Sequence, residues 1–233
     1  MQDHHHGKGH FDENDYKRGI AVNGLAGVFA LMFLGLLASA GAAFFTLNTP
    51  ALMNLVFGGG ASTWIILLAP LGLVMFAFPH VWKMSPVSAI LLFFFYALLN
   101  GLTLSVIFLI YDMGTITLAF LSAAGMFGVM AIYGGLTKAD LSGIGSFLMM
   151  GLFGVIIASV INIFLGNGMM DMLISYAGIA IFLGLTAYDV QRLKHAMSES
   201  PGNVGVMVKG ALHLYLDFLN IFLLLLRLMG RRR

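Results

Sequence analysis

Apolar positions in this chain come in long blocks, and the charged positions mark where the blocks end. No Asp, Glu, Lys or Arg falls between Arg18 and Lys83, between Lys83 and Asp112, between Asp112 and Lys138, or between Asp140 and Asp171. A helix needs about 20 apolar residues to cross a hydrocarbon core of ~30 Å, so each gap divides into crossing helices. The first gap holds two, residues 20–45 and 64–82. Between them, "TLNTPALMNLVFGGGAS" supplies Asn48, Pro50 and a glycine triplet as breakers, with a short apolar stretch suited to the membrane interface. The remaining blocks predict helices over residues 87–110, 115–136, 144–165, 172 to about 193, and about 206 to 229, with "GNG" at 166–168 turning the chain. Seven crossings result. Membrane strands need only about 10 residues and alternate polar with apolar positions, which these uniform runs do not.

Composition agrees with that pattern. The 233 residues are 60% hydrophobic and 9% charged, against about a quarter charged in a soluble domain, so the chain reads as an all-α integral membrane protein. No polar stretch after the first 19 residues could form a soluble domain. The expectation is therefore a polar, His-rich tail over residues 1–19, disordered, followed by one membrane domain over 20–233. The first apolar run is too long for a cleavable signal, so it is expected to stay as an anchor. Cysteine is absent, which removes disulfides and thiolate chemistry. The net charge of +2 is spread over connecting segments and ends, and gives no reason to expect a nucleic-acid partner. The tail's "HHHGKGH" could hold a transition metal, although a solvated tail is the simpler reading.

The basic residues also set topology. Lys8, Lys17 and Arg18, the segments after the second, fourth and sixth spans (Lys83, Lys138, Arg192, Lys194) and Lys209 all fall on one face. The positive-inside rule makes that face, and the N-terminus, cytoplasmic. "RLMGRRR" then lies outside after seven crossings, against its charge, unless the last segment re-enters and returns. Pro70 and Pro79 predict a bend in the second span. Small residues four apart (Gly101 and Ser105, Gly154 and Ala158, Ala180 and Gly184) predict close helix contacts.

Two carboxylates break the apolar pattern. Asp189 sits in "GLTAYDVQRLKH" near the end of the sixth span, and Asp217 in "LHLYLDFLNIF" within the seventh. An ionised Asp at a membrane-helix centre costs about 2.5–3.5 kcal/mol on insertion scales, so such residues face the bundle interior or a wet cavity and are paired. His213, Asp217 and Asn220 fall at i, i+4 and i+7, a polar stripe on one face of the last helix. Arg192, three residues after Asp189, is expected either to pair with it or to snorkel to the headgroups. Asn100 and Asn162 supply further hydrogen-bonding groups, with an interhelical bond expected for each. If Asp189 and Asp217 approach one another, both cannot stay ionised in a low-dielectric interior; the pair would share a proton and titrate as a unit, a pH sensor by construction. Ionised, its four oxygens suit a hard cation such as Ca²⁺, held transiently.

"FFFYALLNGLTLSVIFLIY", "GMFGVMAIYGGLTKADLSGIGSFLMMGL", "GLTAYDVQRLK" and "GALHLYLDFLNIFLLLLRLMGRR" together resemble the Bax inhibitor-1 family, also called the transmembrane BAX inhibitor motif family, in its bacterial inner-membrane branch. The resemblance runs from Tyr16 to the end of the chain. It implies seven helices with the last one central and surrounded by the other six, in the bacterial inner membrane. It also implies a pH-dependent calcium leak whose sensor is one aspartate from the sixth helix and one from the seventh; by motif these are Asp189 and Asp217. Ca²⁺ is then a permeant ion and no cofactor is expected. Some relatives latch the closed state with a second-helix arginine, but the span over residues 64–82 contains only His80, with Lys83 just beyond. Other bacterial relatives are linked to a membrane-bound AAA protease, so the alternative is a membrane-embedded regulator that binds and modulates such a protease. An intramembrane aspartyl protease also uses two membrane aspartates, and "AYD" imitates its first motif. Its second motif, Gly-x-Gly-Asp, is missing here, and the one Pro-Ala-Leu run, at residues 50–52, lies between the first two spans, far in sequence from both aspartates, so no enzyme is expected.

Overall fold

The computed structural model describes residues 13–230, so "HHHGKGH" and the last three arginines lie outside the described residues. The described residues form helices and connecting turns: α1 (Glu13–Leu47), α2 (Pro50–Phe57), α3 (Ala61–Gly72), α4 (Pro86–Ile110), α5 (Met113–Leu136), α6 (Ser142–Leu165), α7 (Gly168–Glu199) and α8 (Val204–Met229). Among the described residues, seven segments are long and apolar enough to cross a membrane, as the apolar blocks predicted. The helix α1 begins at Glu13, inside the stretch expected to be tail. Between the first and second crossings, α2 is the short apolar piece expected from "TPALMNLVF", with Pro50 at its first turn, where a missing N–H costs nothing.

The second crossing is the irregular one. After α3, residues 73–77 form a π-helical turn in which the Phe78 N–H reaches the Leu73 carbonyl, and residues 78–83 tighten into 3₁₀. Pro70 lies inside α3 and Pro79 in the 3₁₀ segment, and neither can donate a backbone hydrogen bond. The expected bend is thus a change in helix type around two prolines.

The sixth crossing departs most from expectation. Asn167 accepts from the Met169 and Met170 N–H groups, at 3.0 and 3.2 Å, and so starts α7 at Gly168. The helix then runs through Arg192, Lys194 and His195 to Glu199, six residues beyond the predicted end at 193. Charged side chains leave the hydrocarbon without ending a helix; Pro201 and Gly202, the latter at φ +74°, end it. At 1.5 Å per residue, α7 is about 48 Å long, some 18 Å more than a ~30 Å hydrocarbon core needs.

The last helix organises the core. It packs against α1, α4, α5, α7 and the 3₁₀ end of the second crossing, whereas α6 packs on α7. Tyr215, Leu214 and Ile221 of α8 are fully buried, together with Phe93 of α4 and Val28 of α1. Edge-to-face contacts join Tyr215 to Phe93 and Tyr96, each with ring centroids 5.9 Å apart. The phenol reaches Ser39 Oγ at 2.7 Å, and Ser39 Oγ in turn lies 2.7 Å from the Ala97 carbonyl, so α1, α4 and α8 meet at one polar knot. By contrast α6 buries only Gly145 and Asn162 and turns rows of Ile, Phe and Met outward, a surface suited to lipid. As a continuous 26-residue helix, α8 has the length of a full crossing; it does not break to re-enter and return.

Small residues make some of the predicted close approaches. A side chain on Gly101 would strike the backbone of Ser39 in α1, and one on Gly184 would meet Leu148. Gly154 faces open space, so its pairing with Ala158 brings no helix close.

Candidate functional site

The polar groups of α7 and α8 meet in the half of the bundle that ends at the Ser200–Asn203 turn. Asp189 is ten residues before the end of α7, and Asp217 lies at the middle of α8. Asp217 is 5% exposed, and its Oδ2 is buried without a hydrogen-bond partner. Asp189, on the neighbouring helix α7, lies within electrostatic reach of it. The direct contact of Asp189 is a different one: its Oδ2 lies 3.3 Å from His213 Nδ1, one turn before Asp217 on α8. The Asp189 side chain is 12% exposed and that of His213 is 39% exposed. The polar stripe on α8 therefore runs from a wet imidazole to a sealed carboxyl.

Arg192 does not pair with Asp189. Its side chain is exposed and has no carboxylate partner among the described residues. It lines a half-open cavity of about 90 Å³ between α7 and α8, with Asp189, His213 and Lys209. Of the two local possibilities for Arg192, reaching outward is the one realised. His80 does not substitute for a latch either, since its Nδ1 lies 3.0 Å from the Phe76 carbonyl of its own helix and its side chain is exposed.

The asparagines also differ from expectation. Asn100 Nδ2 donates to the Tyr96 carbonyl at 3.1 Å and Asn220 Nδ2 to the Leu216 carbonyl at 2.8 Å, each within its own helix. Asn162 Oδ1 accepts from the Asn167 N–H at the end of α6. A short amide reaches the carbonyl one turn back more easily than a neighbouring helix, so local bonds win over the expected interhelical ones.

Sequence reasoning passed over the residues that fix Asp189 in place. Gln191 spans the loop between α5 and α6: its Nε2 donates to the Ala139 carbonyl at 2.7 Å, and its Oε1 accepts from the Leu141 N–H at 3.0 Å. Lys194 Nζ donates to the Gly135 carbonyl at 2.8 Å, in the last turn of α5, where a cation complements the helix dipole. A side chain on Gly134 would run into the Ala187 backbone, and one on Gly145 into the Tyr188 ring. The stretches "YGGLTKADLSG" and "TAYDVQRLK" are thus two halves of one junction, with Asp189 on the α7 side. A buried Gln at helical spacing from Ala187 and Lys194 was the available signal.

Within this loop, Asp140 caps the start of α6 by accepting from the Ser142 N–H at 2.9 Å. Hydrogen bonds from the Ser142 backbone and side chain hold its exposed carboxyl below the usual range.

Comparison with known proteins places the same junction and both aspartates inside one matched region. The profile of the family described as "Inhibitor of apoptosis-promoting Bax1" matches residues 22–233. The chain belongs to this family. The inner membrane protein YbhL of Escherichia coli (strain K12) is 40% identical over 214 residues, covering 90% of this chain and 92% of that protein. A Borreliella burgdorferi protein is 42% identical over 213 residues, covering 90% and 92%. A Rickettsia prowazekii protein is 40% identical over 210 residues, covering 88% of each chain. The family resemblance read from the motifs is therefore correct, and it extends over the whole helical bundle.

Proposed function

We propose that this Bax inhibitor-1 family protein is a pH-sensitive, calcium-permeable leak channel of the bacterial inner membrane, with Asp189 and Asp217 as its proton-sensing pair and its N-terminus in the cytoplasm. The observation that carries this reading is the buried Asp217 Oδ2, which has no partner. An unpartnered carboxyl oxygen in an apolar core is costly to keep. It finds a partner by donating a proton as an acid, or by meeting a cation or water when the bundle rearranges. Asp189, on the neighbouring helix and beside a cavity, supplies a second carboxylate that acts on it electrostatically. Among the described residues no three His, Asp or Glu side chains converge as a metal cage, so a passing Ca²⁺ would meet at most a pair. That suits a transient ion better than a resident one.

The inner-membrane assignment draws on the name of the Escherichia coli relative and on the seven apolar helices. Liposomes loaded with a calcium dye test the channel. Wild type is expected to pass Ca²⁺ with a rate that changes across about pH 5 to 8, the range in which a proton shared by two carboxyls would exchange. Asp217→Asn is expected to remove that pH dependence, and Asp189→Asn to weaken it. No flux from folded wild type at any pH in that range would overturn the channel and leave the protease-modulating regulator as the reading to pursue.

A further inference from the structure

We infer that Thr186 is the positioning residue for Asp217: its hydroxyl, on α7, is the group with which the unpartnered Oδ2 closes a hydrogen bond between the two helices. Asp217 is on the face of α8 that meets α7, seven residues from both Gly210 and Leu224 and four from His213. All three of those residues pack on α7, Gly210 against Leu193, His213 against Asp189, and Leu224 against Gly178. These contacts run in opposite directions along the two helices. Four residues forward from His213 to Asp217 are therefore four back from Asp189, which leads to Leu185 and, beside it, Thr186. A side chain of α8 at that level enters the hole framed by Phe182, Leu185, Thr186 and Asp189, residues spaced three and four apart on one face of α7. Phe182 and Leu185 offer an oxygen only carbon, so the polar partners on α7 are Thr186 and Asp189.

The hydroxyl has the right spare capacity. Thr186 is fully buried, and its Oγ1 donates to the Phe182 carbonyl of its own helix at 2.8 Å. That bond uses the single proton of the hydroxyl and leaves it an acceptor toward Asp217. A neutral carboxyl has the opposite need, a proton to donate. Rotation of the Asp217 side chain onto Thr186 then gives a run from the carboxyl O–H through the threonine O–H to the Phe182 carbonyl, in which every donor meets an acceptor. The other elements around α8 bring different chemistry: α5 sets the rings of Phe120 and Phe127 against Phe218, while Ser39 of α1 and Tyr96 of α4 gather on Tyr215, nearly opposite Asp217 on the helix. His80 and Lys83, at the 3₁₀ end of the second crossing, are exposed. Asp189 is the competitor within the hole, and its Oδ2 is already engaged by His213. Any part of Thr186 in gating rests on the reading of Asp189 and Asp217 as a sensing pair; the hydrogen bond itself does not.

The test is the infrared spectrum of the full chain in lipid nanodiscs at acidic pH, where a neutral carboxyl shows its C=O stretch clear of the amide bands. The band that disappears in Asp217→Asn belongs to Asp217. Thr186→Val, the same shape without the hydroxyl, should shift that band to the higher frequency of an unbonded acid, and Thr186→Ser should return it toward the wild-type position. Valine strands no backbone group, because the Phe182 carbonyl also accepts the helix N–H of residue 186. A band that stays in place in folded Thr186→Val overturns the inference, and a shift in Asp189→Asn in its stead assigns the partner to Asp189. Absence of any carboxyl band that depends on Asp217 overturns it too. The liposome assay separates the hydrogen bond from the channel: a band moved by Thr186→Val in a wild type that passes no Ca²⁺ removes the channel and leaves the Thr186 contact standing.

Discussion

Two contacts of almost equal length tie α7 to α8, one toward each end. Asp171 and Arg227 meet at 3.2 Å, and Asp189 and His213 at 3.3 Å. The first pair is 37% and 42% exposed. The second has a carboxylate only 12% exposed, borders a cavity, and lies within reach of a buried carboxyl with an unpartnered oxygen. Distance does not separate these two contacts; surroundings do. A solvated ion pair is screened and is worth little, whereas a polar contact next to buried charge is strengthened by low dielectric and is expensive to leave incomplete.

The widest expected gap between the two ends is functional. In the liposome assay, Asp217→Asn should abolish the pH dependence of calcium flux, and Asp171→Asn should leave it intact; an equal loss in both would mean that the two ends are not distinct. The next effect is on stability at the inner end. Gln191→Ala would leave the Leu141 N–H and the Ala139 carbonyl without their partner and should cost about 1–3 kcal/mol, read as a lower midpoint in detergent unfolding. It should also raise amide exchange in the loop over residues 137–141, while Arg227→Gln should change neither readout.

A smaller difference is expected in paired double-mutant cycles. Asp171 and Arg227 should couple by less than about 0.5 kcal/mol, falling further with salt. Asp189 and His213 should couple by about 1 kcal/mol with weaker salt dependence. Equal couplings would place both pairs in the same solvated class. Smallest of all is the Asp140 cap. Because its folded carboxyl titrates below the usual range, its contribution is present at neutral pH and is lost as pH falls through the lowered value. The Ser142 amide should therefore stay protected from exchange through mildly acidic pH and lose protection only in stronger acid, and Asp140→Asn should flatten that profile.

Much of the architecture was legible because a membrane imposes a coarse, readable rule. Runs of the right length had to cross, and six of the predicted spans, those ending at 45, 82, 110, 136, 165 and 229, end within two residues of the observed Leu47, Val81, Ile110, Leu136, Leu165 and Met229. Asp217 stood out because no other Asp, Glu, Lys or Arg falls between Lys209 and Arg227. The later part of α7 was harder to read: hydropathy falls at Arg192, but the backbone ends only where Pro201 and Gly202 force it to. Gln191 was missed because its partners, Ala139 and Leu141, lie about 50 residues away on another turn. The prolines of the second span predict a break, yet not its form as a π turn followed by a 3₁₀ segment, nor that the 3₁₀ segment packs on α8.

By itself, then, the sequence determined a seven-crossing helical protein of the Bax inhibitor-1 family, with Asp189 and Asp217 as its anomalous membrane carboxyls, since hydropathy, charge placement and motif are all properties of the linear chain. Tertiary structure decided the partners: His213 rather than Arg192 for Asp189, the bundle interior rather than any polar group for Asp217 Oδ2, and an open cavity for Arg192. Three neighbouring side chains on two helices can pair in several ways at equal sequence spacing. Only the rotation and separation of α7 and α8, fixed by contacts such as Gly210 on Leu193 and Gly178 on Leu224, choose among them.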